Sequence, residues 1–576
     1  MPTPSQLSCL ALLTGLFAPV GSAQVRQSAR PISERISLPR EVPTATLPRP
    51  DIESLAREDL QRGFGPFRYG AVIETDQGLE HTGRWDRVPA EGAFVWRLRI
   101  SSPGAHSLGI VFGEYDIPAG GQVFLYDDGG THVLGAYTEA NSKSNGMLAI
   151  EPVAGDALTI EYVQAAWVSQ TPRLRVRQVV HDYRDLFHSD FWRSGSNQSG
   201  QCFVDVNCPE GAPYQDIKRS VVRALSGGMG CSASILNNTA NDGTPYMLTA
   251  NHCGSFTNAV VVFNFELPGC GSGVAPTSQT VSGATLLANN SLYDSQLYLL
   301  SSAPPASYNP YYAGWYRVSS LPPPPGVSIS HPQSLPKKIA IDDSGAVLSG
   351  QYWRVSWDVG MVHGGSSGSP LFNGLGQVLG PACCVTNFIC GSQTTLYGRF
   401  DGFWNNENIV QYLDPLGTGA VAIGGHDPCP PLSSYCTAKL NSCAGTPAVS
   451  ASGLSSASAS SGFTLSASGA QTGKAGLVLY TSGGARIPAA PFQGGLLCIA
   501  SPLRRSAVIT ASGGTPGNCD ASFDLDWNAF ASGNAGGNPA GFLTTAGQRV
   551  DLQVWGRDTV QHGSFLSEAL SYLVCP

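Results

Sequence analysis

At 576 residues the chain is too long for one hydrophobic core, so about two to four domains are expected. Charged residues make up only 13%, against roughly a quarter in an ordinary globular protein, while Gly (68) and Pro (41) are abundant. The formal net charge of −8 comes without a basic stripe or a long charge run, which excludes a nucleic-acid footprint and a charged interaction tail.

The first predicted element is an export leader. Residues 7–20 are largely apolar, and Gly21-Ser22-Ala23 supplies small residues before a cut at Gln24, although no Lys or Arg precedes the apolar run. That run is too short to span a membrane, and no later one reaches about 18 apolar residues. Cysteine usage agrees with a secreted, extracellular protein. Of fifteen cysteines, loss of Cys9 with the leader leaves an even set, all from Cys202 onward, which implies disulfides. Their spacing lacks paired zinc-ligand motifs, so no metal site is expected.

Residues 24–65 are rich in Pro and Arg without a clear period, which predicts loose order. From about 66 to 165 alternation sets in. Trp96-Arg97-Leu98-Arg99-Ile100 and Leu158-Thr159-Ile160-Glu161-Tyr162 put apolar residues on one face, and turns such as Pro118-Ala119-Gly120-Gly121 separate the runs. This reads as a cysteine-free β-sandwich. The small polar run Ser194-Gly195-Ser196-Asn197-Gln198-Ser199-Gly200 suits proteolytic nicking, so residues 24–193 are read as a pro-region. Residues 194–425 then form the domain that carries the motifs, and a Cys/Ser-rich linker covers 426–462. Strand-like alternation over 463–576 predicts a C-terminal β-sandwich.

The chemistry gathers in the middle domain. In His363-Gly364-Gly365-Ser366-Ser367-Gly368-Ser369-Pro370 the glycines permit a tight turn that presents Ser367 and lets backbone N–H groups converge on an oxyanion. Such a run alone is more often a loop. Tyr246-Met247-Leu248-Thr249-Ala250-Asn251-His252-Cys253 sharpens the signal by placing a histidine after a short apolar strand, beside a cysteine. A carboxylate is needed between them, from Glu266, Asp294, Asp342, Asp343 or Asp358. Asp294 is preferred because it opens the apolar run 295–300, where burial against the imidazole would fix its tautomer. His…Asp…Ser is the chain order of two-barrel serine proteases and differs from that of subtilisins and α/β-hydrolases.

Residues 201–425 resemble the lysyl endopeptidases, a bacterial branch of the chymotrypsin-like proteases. The shared stretches run in order: Cys208-Pro209-Glu210-Gly211, Asn237-Asn238-Thr239-Ala240-Asn241-Asp242, Thr249-Ala250-Asn251-His252-Cys253-Gly254, Tyr312-Ala313-Gly314-Trp315, His331-Pro332, residues 365–370, Tyr397-Gly398-Arg399 and Leu413-Asp414-Pro415. The resemblance implies an all-β, two-barrel protease domain flanked by the two sandwiches. It implies a catalytic triad of His252, Asp294 and Ser367, and an oxyanion hole at Gly365 and Ser367. It also implies disulfides Cys202–Cys390, Cys208–Cys270 and Cys231–Cys253. Substrates would be proteins or peptides, cleaved through an acyl-enzyme with no cofactor.

The chain departs from that family in its specificity pocket. The lysine-binding aspartate that stands two residues before Tyr-Gly-Arg in the family is Thr395 here, and the position six before the nucleophile is Met361. Neither neutralises an ammonium, so an uncharged residue is expected at P1, the position whose carbonyl is attacked. Ser366 replaces the aspartate with which digestive relatives bind their new N-terminus. Cys383 and Cys384 have no counterpart in the pattern. The C-terminal part resembles a tail module of exported planctomycete-type proteins, through Tyr435-Cys436-Thr437-Ala438-Lys439, Pro491-Phe492-Gln493-Gly494-Gly495 and Leu503-Arg504-Arg505. A cell-surface or polysaccharide contact is open to that tail, with no residue assigned to it. Two rival readings are an inactive protease fold used for adhesion and a serine esterase.

Overall fold

The computed structural model describes residues 30–36, 38, 41–186, 202–430, 432–442, 444–559 and 563–575. The expected leader and the expected maturation segment 194–201 lie outside the described residues. The chain is mostly β, as a two-barrel chymotrypsin-like domain flanked by β-sandwiches.

Alternation in the N-terminal part becomes strand pairing. Ala93–Ser101 lies antiparallel to Ala157–Ala165, which continues to Gly121–Asp127 and Val133–Tyr137. A second sheet orders Gly70–Gly78, Arg173–Asp182, Ser107–Asp116 and Leu148–Ala154. Trp96, Leu98, Ile100, Phe112, Leu125 and Tyr162 are buried between the sheets. The sandwich therefore extends to residue 182, beyond the predicted end near 165.

The described residues between 30 and 65 are more ordered than their composition predicts, because the sandwich offers them partners. Thr44–Thr46 pairs in parallel with Ala93–Ser101. Ile32 caps an outer apolar cluster with Val95, Phe124 and Val163, and its N–H donates to buried Glu161 at 2.7 Å. Helix Ile52–Gln61 begins at Asp51, whose carboxylate accepts the Ser54 N–H at 3.0 Å, satisfying one of the helix's unpaired first-turn donors.

The middle domain has two curled sheets. The first orders Thr280–Ser282, Val260–Val262, Val221–Ser226, Met229–Leu236, Tyr246–Thr249, Ser295–Leu300 and Ala284–Asn290 around Val222, Ile235, Met247 and Tyr298. The second runs from Val204–Asp205 through Lys338–Asp342, Gly326–Ser330, Pro370–Phe372, Gln377–Val385 and Thr394–Gly398 to Tyr352–Ser356 and Val347–Ser349. Leu248, Leu297, Trp315, Ile329 and Phe400 form the apolar seam between them. A separate cluster joins Tyr69, Val111 and Val180 of the N-terminal unit to Leu225, Val260 and Phe265 of the first barrel. Beside it, Phe67–Arg68 adds to the first barrel as an edge strand on Met229–Leu236.

In the C-terminal unit Phe463–Ala470 and Ala521–Asp526 face Ala475–Thr481, Arg549–Arg557 and Ser564–Leu573 across a core that includes Phe523, Trp527 and Leu552.

Candidate active site

Two neighbouring strands bring the first pair of polar groups together. Tyr246–Thr249 and Ser295–Leu300 are antiparallel, with Thr249 opposite Gln296. The chain just after one strand and just before the other therefore emerges at the same end of the first barrel. His252 sits in the single turn Asn251–Cys253 that follows the first strand, and Asp294 directly precedes the second. The Cys231–Cys253 disulfide ties that turn to Met229–Leu236.

His252 Nδ1 lies 2.6 Å from Asp294 Oδ2, and its Nε2 lies 2.7 Å from Ser367 Oγ. With its proton on Nδ1, the ring donates to the carboxylate and accepts from the serine hydroxyl. Asp294 is held from several directions. Its Oδ1 accepts the His252 backbone N–H at 2.9 Å, its carbonyl accepts the Asn251 N–H at 3.1 Å, and its φ of +46° turns the side chain back over the histidine loop. It is 6% exposed.

Ser367 comes from the second barrel, three residues before Pro370–Phe372, and has no exposed surface. Gly365 and Gly368 on either side have φ of +93° and +81°. A Cβ on Gly365 would fall 2.8 Å from the His331 carbonyl oxygen, and one on Gly368 would run into Ser232 and Thr249, so both positions demand glycine. Ser232 holds this turn from the first barrel. Its hydroxyl donates to the Gly365 carbonyl at 2.9 Å and accepts the His331 N–H at 2.8 Å. The Gly365 N–H points the other way and donates to the carbonyl oxygen of Gly65, at 2.8 Å. Ser366, buried, shares a 2.9 Å hydrogen bond with Ser330 Oγ and accepts the His363 N–H at 3.2 Å.

Three of the other carboxylates weighed for this role, Glu266, Asp342 and Asp358, are engaged elsewhere. Glu266 pairs with Lys218 and Lys337. Asp342 accepts the Ser344 and Ser356 N–H groups, and Asp358 accepts the N–H of Asp343. Asp401, which stands six residues after Thr395 and bears on the specificity pocket rather than on the triad, pairs with Arg399.

Met361 and Thr395 are both buried. Thr395 lies on the central strand of three, opposite Val355 and Val385, and its hydroxyl accepts the Trp357 indole N–H at 2.8 Å. Gln393, also buried, clamps the neighbouring segment by accepting the Val362 N–H and donating to the Val362 carbonyl, each at 2.8 Å. Sequence reasoning passed over Trp357, Gln393 and Ser232, since no local pattern ties any of them to partners far along the chain.

The structure pairs Cys202 with Cys390 and Cys208 with Cys270, and it joins the adjacent Cys383 and Cys384 to each other. In the C-terminal unit Cys429 pairs with Cys575 and Cys436 with Cys498. His363 stacks on Phe388 with 4.3 Å between ring centroids, and its Nδ1 accepts the Gly364 N–H at 2.8 Å. Burial keeps this imidazole neutral, pushing its pKa down to about 4.

Residues 196–395 match the family model described as "Lysyl endopeptidase, C-terminal domain". A lysyl endopeptidase of Pseudomonas aeruginosa is 27% identical over 371 residues, which cover 58% of this chain and 78% of that protein. Among solved structures, a Mycobacterium tuberculosis protease in its active form aligns at 18% identity and a TM-score of 0.26, over 38% of this chain and 90% of its own. An inactivated protease paralogue of the scabies mite aligns at 16% identity and a TM-score of 0.27, over 34% of this chain and 98% of its own. The matches to the family model and to the Pseudomonas protein support a trypsin-like serine protease family for the middle domain.

Proposed function

We propose that this trypsin-like serine protease domain is an active endopeptidase that hydrolyses peptide bonds through an acyl-enzyme. Ser367 attacks the carbonyl, and His252 takes the serine proton and passes it to the leaving amine. Asp294 holds the imidazole in the tautomer that can do so. The backbone N–H groups of Gly365 and Ser367 receive the oxyanion. The observation that carries this reading is the bridge made by one imidazole, 2.6 Å from a buried carboxylate and 2.7 Å from a serine hydroxyl that follows a left-handed glycine. Protein or peptide substrates would meet a pocket formed around Met361 and Thr395, which favours an uncharged P1 residue.

The protein is exported as a zymogen on this reading, with residues 1–23 as leader and 24–193 as pro-region ahead of a mature chain that begins between 194 and 201. Six disulfides among the described residues support an oxidising destination. A biotinylated fluorophosphonate tests the chemistry. It should label Ser367 in the processed protein, and the same preparation should digest casein. Intact-mass analysis should give a processed start at 194–201. A labelled, active chain beginning near Gln24 would refute the processing scheme while leaving the chemistry in place.

A further inference from the structure

The segment that enters the cleft belongs to the chain itself. Its Gly65 carbonyl oxygen accepts from the Gly365 N–H, the donor assigned above to the oxyanion hole. One residue earlier, the Phe64 ring lies 6.5 Å from the His252 ring and packs against the second-barrel cluster that includes Trp357 and Val362. Two residues later, Phe67 pairs with Gly230 and Arg68 with Met229, on the strand that carries Cys231 and so leads to the histidine loop. The chain bends at Phe64 and Gly65, and it places one carbonyl on a donor of the oxyanion hole, the preceding side chain beside the histidine and the following residues on a strand edge, the order in which a substrate's groups would meet the cleft. That register puts the bond between Gly65 and Pro66 where the cut bond would be.

We propose that residues 62–68 are a substrate-directed strap, held in the cleft by the enzyme's own subsites and resistant to cleavage. This rests on the peptidase reading and adds the occupant of its cleft. Two features make the segment a ligand rather than a substrate. Gly65 offers no side chain to the specificity pocket, and a Cβ built there would meet no atom within 4 Å, so that subsite stays unfilled. Pro66 supplies a nitrogen that carries ring carbon where another residue carries hydrogen, which crowds the group that His252 would have to protonate.

The strap is anchored outside the cleft. Arg68 pairs with Glu58 and Asp59 on helix Ile52–Gln61, and Asp59 is held in turn by Arg184 and Tyr183. Phe67 joins the apolar cluster that docks the N-terminal sandwich on the first barrel. The docking surface therefore selects one occupant, a peptide of the Phe-Gly-Pro-Phe kind presented by the sandwich. Its consequence is latency, with Ser367 covered for as long as residues 62–68 stay in place.

The rate of fluorophosphonate labelling of the full, unprocessed chain tests this. Phe64→Ala removes the ring over His252, and Arg68→Ala unties the anchor without touching the cleft. Each should label at least about tenfold faster than the wild type, on the scale of one lost buried side chain or charge-assisted contact, and Phe64→Tyr should stay slow. The heptapeptide corresponding to residues 62–68, added to the Arg68→Ala chain, should slow labelling again and be recovered uncut. Equal labelling of the wild type and both alanine variants would overturn the strap and leave the peptidase reading intact. So would scission of the heptapeptide between its Gly and Pro. No labelling of any chain would overturn both.

Discussion

Replacing the P1 residue in a peptide substrate probes the pocket most directly. Among the described residues the carboxylates nearest in sequence to its walls are already committed: Asp401 to Arg399 and Asp358 to the Asp343 N–H. The Thr395 hydroxyl accepts from Trp357, and the Gln393 amide is taken up by Val362 and Asn387. A lysine entering there would shed water without gaining a counter-charge, and an unpaired buried ammonium is strongly disfavoured. A leucine or phenylalanine would gain about 1.5–3 kcal/mol from burial, or roughly ten- to a hundredfold in kcat/KM if that gain is realised in the transition state. The assay is a set of p-nitroanilide peptides identical except for Leu, Phe or Lys at P1, read with the processed enzyme. Lysine preferred by tenfold or more would refute the pocket argument, and Asp358→Asn and Asp401→Asn would then show which carboxylate reaches the substrate.

Ser367→Ala and His252→Ala should each lower kcat by roughly 10⁶, with the double variant hardly worse than either, measured on casein and a peptide ester. Acid should act through imidazoles that burial holds below their usual pKa, fully buried His331 among them, and His363 carries a share that can be tested. The unfolded imidazole protonates near 6.5 but the folded one only near 4, so below 6.5 the unfolded chain takes up the proton first. Stability should fall as pH drops from 6.5 to 4, by an amount on the order of 3 kcal/mol at about 1.4 kcal/mol per unit. Urea titrations across that range should show the slope, and His363→Gln should lessen it; an unchanged slope in His363→Gln would assign the acid sensitivity to other groups such as His331.

Much of the meeting of His252, Asp294 and Ser367 is readable in the sequence, because each stands at a strand end marked by local chemistry. Thr-Ala-Asn-His-Cys couples an apolar strand to a disulfide-tied turn, and the glycines around Ser367 are required by left-handed backbone. The sandwich strands are readable for a similar reason, since two-residue alternation records which face is buried. Residues 62–68 are not. Gly63-Phe64-Gly65-Pro66-Phe67 carries no period of its own and has the composition of a loose linker. Its order comes from a strand edge and an N–H group that lie about 165 and 300 residues further on. The same holds for Ile32, whose partner Glu161 is 129 residues away.

The oxyanion turn bears on how such an enzyme could be kept silent. In digestive relatives an acidic residue before the nucleophile awaits a freed N-terminus, so the hole is built only after cleavage. Here that residue is Ser366, tied to Ser330 Oγ by a neutral hydrogen bond inside the second barrel. Ser232 holds the Gly365 carbonyl from the first barrel, and the left-handed backbone at Gly365 is already set while residues 62–68 are present. Apart from the Gly65 carbonyl, the groups named here that hold the turn belong to the middle domain, and none of these bonds needs a charge created by processing. Ser366 therefore offers no carboxylate with which a freed N-terminus could assemble the hole. Control by occupying it remains, and the Gly65 carbonyl on the Gly365 N–H is the contact through which it would act.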